Sequence, residues 1–256
     1  MKKIRISAVR YANTYPFIYG LTATGFDKKA VIETDHPADC SEKLINGKSD
    51  IGLIPVATLL NLDNYYIISN YCIGADGPVR SIQLLSNSDL MHIETVYLDY
   101  RSRTSVNLVK VLAKLKWGKD FRWIDTSASF DFKGIGEKEA LVLIGDQCFE
   151  FENSFNFKYD LSAEWKEFSG LPFVFACWTA NKPLPSSFVA EFNNALGTGV
   201  ENIEAVVEHF KNNGPLSATE LKRYLTENID FIFTDEKKKA MDLFLRLLKQ
   251  VQHSGS

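Results

Sequence analysis

The sequence predicts an α/β protein of two lobes, the first of them discontinuous, with a ligand cleft between the two. Three observations carry this. A strand running into a polar tip and then a helix occurs twice near the start, at residues 4–16 and 51–62. Tips of that kind, at the carboxyl ends of strands, are the usual ligand positions of an open α/β sheet. Residues 140–144 and 171–180 are apolar runs of strand length, as expected of buried strands. Finally, the 256 residues contain no low-complexity linker and no repeat of solenoid period. Two lobes of about 100 to 150 residues each must then be joined by strands.

In order, Ile4, Ile6 and Ala8 alternate with Arg5, Ser7 and Val9 in the first strand. Asn13 or Thr14 is expected to cap a helix from Pro16 to about Leu21, proline being tolerated in a first turn. Residues 31–34 form a second strand, 39–46 a short helix ended by Gly47, 51–55 a third strand and 56–62 a helical stretch. Ile67-Ile68 and Cys72-Ile73 make a further strand region before the turn at Gly77-Pro78. The second lobe holds strands at 95–98 and 121–124, a helix at 104–115, and the apolar strand that ends at Gly145-Asp146. Residues 149–165, rich in Asn, Phe, Tyr and Asp, have weak periodicity. After the returning strand at 171–180, apolar stripes at helical spacing follow from Ser186 onward, such as Phe188, Val189, Phe192, Ala195 and Leu196. Crossings near 80–86 and 173–179 divide the chain into a first lobe of 1–85 plus 176–256 and a second of 86–175. His253 to Ser256 reads as a frayed tail.

Composition narrows the function. A net charge of −3 argues against nucleic-acid binding, which needs a basic face. The one basic run, Lys237-Lys238-Lys239, sits beside Asp235 and Glu236 and is expected on a solvated helix face. Cys40, Cys72, Cys148 and Cys177 lack CxxC spacing, so neither a zinc site nor a disulfide framework is expected; buried free thiols in a reducing compartment are. No apolar run is long enough to span a bilayer, and residues 1–9 lack the apolar core of a signal peptide. A cytoplasmic protein without membrane, metal or cofactor is the expectation, as a monomer or a homodimer.

Two loops invite a small carboxylate. Gly77-Pro78-Val79-Arg80-Ser81 turns into a strand in which Ser81 and Gln83 alternate with Ile82 and Leu84. Ser102-Arg103-Thr104-Ser105 opens a helix whose Ser102 or Thr104 can cap it, while its free N–H groups and positive end suit an anion.

With Asn13-Thr14-x-Pro16, Asp50-x-Gly52-Leu53-Ile54-Pro55 and Ile144-Gly145-Asp146 in the same order, these loops resemble the chorismate dehydratase family of the futalosine route to menaquinone. The resemblance covers about the first 150 residues. Arg10 stands where the family usually has serine, and Tyr15 where it often has a basic residue. The resemblance implies a type II periplasmic-binding-protein fold and a hydro-lyase that removes water from chorismate to give 3-[(1-carboxyvinyl)oxy]benzoate. Aromatisation drives such a reaction, so no redox cofactor and no metal is implied. What is needed is recognition of two carboxylates, stabilisation of charge spreading into the ring carboxylate, and a proton acceptor near C3. The substrate's own enolpyruvyl carboxylate can serve as that acceptor.

The resemblance makes Asn13 and Ser81 the catalytic candidates, against the plainer readings of a helix cap and a solvent-facing strand residue. Thr14, Arg80, Ser102, Arg103, Thr104, Ser105 and Asp146 are the substrate-binding candidates. Of these, Arg80 has the alternative of pairing with a carboxylate of the other lobe, and Arg103 of pointing to solvent. Asp146, which would repel a dianion, is expected to act indirectly, by capping a helix or ordering donors. His36, His92 and His209 are expected at the surface or in turns, which disfavours the sister dihydroxynaphthoate synthase, expected to use a histidine. A small-anion binding protein shares the architecture and stands as the non-catalytic alternative. The effector lobe of a transcription factor is disfavoured because no helix-turn-helix segment precedes residue 1.

Overall fold

Alternation along Ile4–Val9 gives strand β1, which α1 (Tyr15–Ala23) connects to β2 (Ala30–Asp35), pairing in parallel with β1. Helix α2 (Pro37–Ile45) leads to β3 (Ile51–Pro55) on the other side of β1, and β4 (Tyr66–Ala75) follows. The chain then leaves this sheet for β5 (Ile82–Ser86), β6 (Thr95–Leu98), α3 (Thr104–Leu112), β7 (Arg122–Asp125), β8 (Glu139–Ile144), α4 (Gln147–Phe151), β9 (Phe157–Asp160) and α5 (Leu161–Ser169). It returns as β10 (Phe173–Ala180), continues through α6 (Ser186–Glu201), α7 (Ile203–Phe210), α8 (Ala218–Arg223) and β11 (Asp230–Ile232), and ends in α9 (Asp235–Ser254). This is a computed structural model; it describes residues 3–254.

The first sheet runs β11-β4-β10-β3-β1-β2 and the second β7-β6-β8-β5-β9. Each therefore belongs to one lobe, and the chain passes between them at 76–81 and 170–172. Residues 82–85, expected in the first lobe, hydrogen-bond in the second sheet, because β5 inserts between β8 and β9. The return strand, expected over 171–180, is Phe173–Ala180, so residues 173–175, which the expected lobe boundary at 176 left in the second lobe, belong to the first sheet.

Other expectations need correction. Asn13 and Thr14 lie in a 3-10 turn, Ala12–Thr14, and neither side chain caps α1. The two strand pieces around Ile67 and Cys72 are one strand with a bulge, since Thr179 faces Ile67 while Cys177 faces Cys72. The weakly periodic stretch 149–165 contains the short strand β9, and β11 was not foreseen. Lys237 is 1% exposed, not solvated: its Nζ donates to the Asp230 and Ile232 carbonyls and pairs with the Asp230 carboxylate, all at 2.7 Å, tying α9 to β11. Helix α9 is continuous through His253, where a frayed tail was expected; Gly255 and Ser256 lie outside the described residues.

Trp165, Trp178, Phe17, Phe173, Phe192 and Phe244 are fully buried and pack edge to face, filling the space between sheets and helices. All four cysteines are buried and free. Helices α1 and α6 touch backbone to backbone. A β-carbon on Gly199 would overlap the Pro16 carbonyl, and one on Gly20 the Ala195 carbonyl.

Candidate functional site

The loops that end β1, β3 and β8, together with the start of α3, meet between the lobes. There they line a pocket of about 440 Å³, part of it open to solvent. It is a slot rather than a chamber. Val9, Tyr11, Asn13, Pro37, Pro55, Ile73, Phe175 and Ala176 line it from the first lobe. Ser102, Thr104, Ser105, Ile82, Ile144 and Gly145 line it from the second, and Ser81 from the crossing. Its polar surface consists of hydroxyls and one carboxamide. Among the described residues, no lining side chain carries a carboxylate, an imidazole or an amine.

Asn13 and Ser81, far apart in sequence, are joined through a third residue. The Tyr224 hydroxyl, on the turn after α8, donates to Ser81 Oγ at 2.7 Å, and the Asn13 carboxamide is also within hydrogen-bonding reach of that phenol. Burial drives the Tyr224 phenol far above its usual pKa, so it stays protonated, giving its one proton to Ser81 and leaving its oxygen to accept from the Asn13 amide. Ser81 Oγ thereby has one lone pair occupied and keeps its own proton for a ligand. Thr14 lies behind Asn13, off the cavity, with its hydroxyl donating to Asn13 Oδ1 at 3.2 Å.

At the other wall, Ser102 Oγ accepts the Ser105 N–H at 3.1 Å and so caps α3. Thr104 Oγ1 donates to the Phe175 carbonyl at 3.0 Å and accepts the Ala57 N–H at 3.3 Å. Its hydroxyl is committed to holding the lobes together.

Arg80, Arg103 and Asp146 are not among the lining residues. Arg80 adopts φ 62°, and its guanidinium pairs with Glu152 at 3.3 Å and lies over the Phe149 ring. The Asp160 carboxylate accepts the Arg80 N–H at 2.6 Å, and also caps α5 by accepting from Ser162 and Ala163. Arg103 is half-exposed, 3.6 Å from Glu42. Asp146 makes no cap bond to α4; its Oδ1 accepts the Ala12 N–H at 3.1 Å, across the cleft. Burial, opposed by that N–H and reinforced by Glu150, pushes its pKa up to about 6.

Two neighbours of the cavity were not singled out from the sequence. Tyr11 lies with its ring against Gly145, where a β-carbon would come within 2.7 Å of it, and with its hydroxyl 3.2 Å from His36 Nδ1. His36, in the turn between β2 and α2, is thus half-buried behind the cleft, whereas His92 and His209 are exposed. Arg101 forms a buried ion pair with Asp99 at 2.6 Å and donates to Gln147, while its carbonyl accepts the Ala38 N–H across the lobes. The strand-end position of Tyr11 was a usable signal; the pairing with Tyr224, 143 positions from Ser81, had none.

A family model described as menaquinone biosynthesis matches residues 4–250. A protein of Thermus thermophilus named chorismate dehydratase is 26% identical over 230 residues, 81% of this chain and 82% of that one. Among solved structures, protein AF1704 of Archaeoglobus fulgidus is similar with a TM-score of 0.75 at 16% identity, covering 99% of this chain and 97% of the other. A Candida albicans protein, described as having the generic periplasmic-binding-protein fold, aligns with a TM-score of 0.68 at 13% identity, over 99% and 95%. The aliphatic sulphonate binding protein SsuA of Escherichia coli aligns at 0.63 and 13%, over 98% and 93%. The architecture is accordingly the two-lobed periplasmic-binding-protein fold, with its ligand cleft between the lobes.

Proposed function

Because the chain belongs to the menaquinone biosynthesis family, we propose that it is a carbon–oxygen lyase that removes water from chorismate to give 3-[(1-carboxyvinyl)oxy]benzoate. The observation that carries this reading is the slot between the lobes, lined by neutral donors of both. Hydroxyls, an amide and a helix start suit a flat cyclic dicarboxylate, and a lining carboxylate would repel one.

In this reading the Ser81 hydroxyl and the Asn13 carboxamide donate to the ring carboxylate as the C3–H bond breaks, holding the negative charge that spreads into it. Ser102 and Ser105, at the start of α3, hold the second carboxylate. With no basic side chain among the described lining residues, the enolpyruvyl carboxylate of the substrate takes the C3 proton and passes it to the departing oxygen. Thr14 and Thr104 position their neighbours, and Arg80, Arg103 and Asp146 act from outside the cavity. No cofactor enters the scheme. The cytoplasm is the compartment we assign, in keeping with four buried free thiols.

The test is to incubate the purified protein with chorismate and follow the ultraviolet spectrum and the product mass. Loss of the diene absorbance and a product lighter by one water are expected, with kcat about 10²-fold lower for Ser81→Ala and Asn13→Ala. Chorismate that binds but is recovered unchanged would assign the protein to anion capture instead.

A further inference from the structure

One lining group has no task in that scheme, the Tyr11 hydroxyl. It sits 3.2 Å from Nδ1 of His36, which directly follows β2 and precedes Pro37, itself a lining residue. Either partner can donate in this bond, depending on the imidazole tautomer. If Tyr11 donates, its oxygen offers the cavity only lone pairs, which a dianionic ligand repels. If His36 Nδ1–H donates, the phenol proton turns into the cavity, and the bond behind it strengthens it as a donor.

The surroundings keep both partners of the pair neutral. Burial, Arg10 and Arg101 lower the His36 pKa, outweighing Asp39 and Asp99, so the ring is neutral at pH 7 with a single N–H. Burial, opposed by Arg101 and reinforced by Asp99, Asp146 and Cys148, raises the Tyr11 pKa, so the phenol keeps its proton. Even so, a phenol is intrinsically a far stronger hydrogen-bond donor than the aliphatic hydroxyls and the amide that share the cavity.

We propose that His36 donates Nδ1–H to Tyr11, and that Tyr11 in turn donates to the oxygen leaving C4 of the substrate. The identity of the accepting oxygen rests on the dehydration proposed above; the direction of the His36–Tyr11 bond does not. The C3–H proton goes to the enolpyruvyl carboxylate, and its electron pair spreads into the ring carboxylate. The C4–O bond then breaks with its electrons on oxygen, the carboxyl proton is returned to that oxygen, and water departs. Tyr11 stabilises the developing charge and keeps its own proton throughout. His36 is a positioning residue that acts only through Tyr11.

Tyr11→Phe, which leaves the ring on Gly145, is expected to lower kcat about 10²-fold with KM changed less than about threefold. His36→Leu is expected to lower kcat about tenfold, and His36→Asn, whose amide N–H can replace Nδ1–H, to recover most of that. In the Tyr11→Phe background, His36→Leu should cost nothing further. An equal loss in both backgrounds, or His36→Asn as poor as His36→Leu, would overturn the proposal. Nitrogen-15 spectra of labelled histidine at pH 7 read the tautomer without turnover: a protonated Nδ1 on His36 is expected, and a protonated Nε2 with bare Nδ1 would also overturn it. If the wild-type protein leaves chorismate untouched, the dehydration reading falls, while the spectra still decide the direction of the bond.

Discussion

Asp146 projects from the end of β8 and accepts the Ala12 N–H of the opposite lobe. Its pKa of about 6 exceeds the ordinary 3.8, so the folded protein holds this proton more tightly than the unfolded chain does. Stability from this group is therefore fully present below about pH 4 and declines as pH rises to about 6. Asp146→Asn keeps an acceptor for Ala12 and removes the ionisation. Urea titrations should find it more stable than wild type by up to about 3 kcal/mol at pH 7.5, with the two converging near pH 4. A constant difference across that range would mean that the carboxylate is not the titrating group. The sequence placed Asp146 at a strand end and suggested an indirect role, but gave no hint of Ala12 as its partner. Asn13, after the first strand, and Ser81, after the Gly77-Pro78 turn, were singled out through the resemblance. Tyr224 was hidden, because an amphipathic stripe in a late helix looks the same whether its tyrosine fills the core or reaches a cleft.

Helix α3 does two jobs at its first turn: Ser102 caps it, and Thr104 bonds to both Phe175 and Ala57. Thr104→Val keeps the shape and leaves a buried carbonyl and a buried N–H unpaired. We expect a loss of about 2 to 4 kcal/mol in denaturant titration; a change below about 0.5 kcal/mol would show that water or relaxation satisfies both groups. The helix itself was read correctly from its capping hydroxyls and apolar stripe. Elements that lack such signals were not. Strands β9 and β11 are four and three residues long, and they form only because β5 and β4 offer them an edge.

At the scale of the whole molecule, the lobes are joined by two short crossings and closed by Ala12–Asp146, Thr104–Phe175 and Ala38–Arg101. A ligand that touches both walls adds to these contacts only in the closed state. Isophthalate, an unreactive cyclic dicarboxylate, at about 100 times its dissociation constant should stabilise the fold by about 2.7 kcal/mol. In a chain of this size that raises Tm by about 5 to 10 °C; no shift at millimolar isophthalate would argue against a dicarboxylate slot. The two-lobed plan was legible because buried strands are long, apolar and bounded by glycine and proline. The point of division was not, since a strand such as β5 reads alike in either sheet.

The bare contact of α1 with α6 reaches further than its place behind the first lobe suggests. Residues 12–14 run directly into α1, so whatever sets the seat of that helix also sets the height of the Asn13 amide in the slot. Even a methyl group at position 199 would lever the helix outward and draw the amide away from Ser81, leaving every wall residue chemically unaltered. Two glycines that no ligand meets, one of them seated on Pro16 at the first turn of α1, thus act as the gauge by which the adjoining Asn13 is aimed.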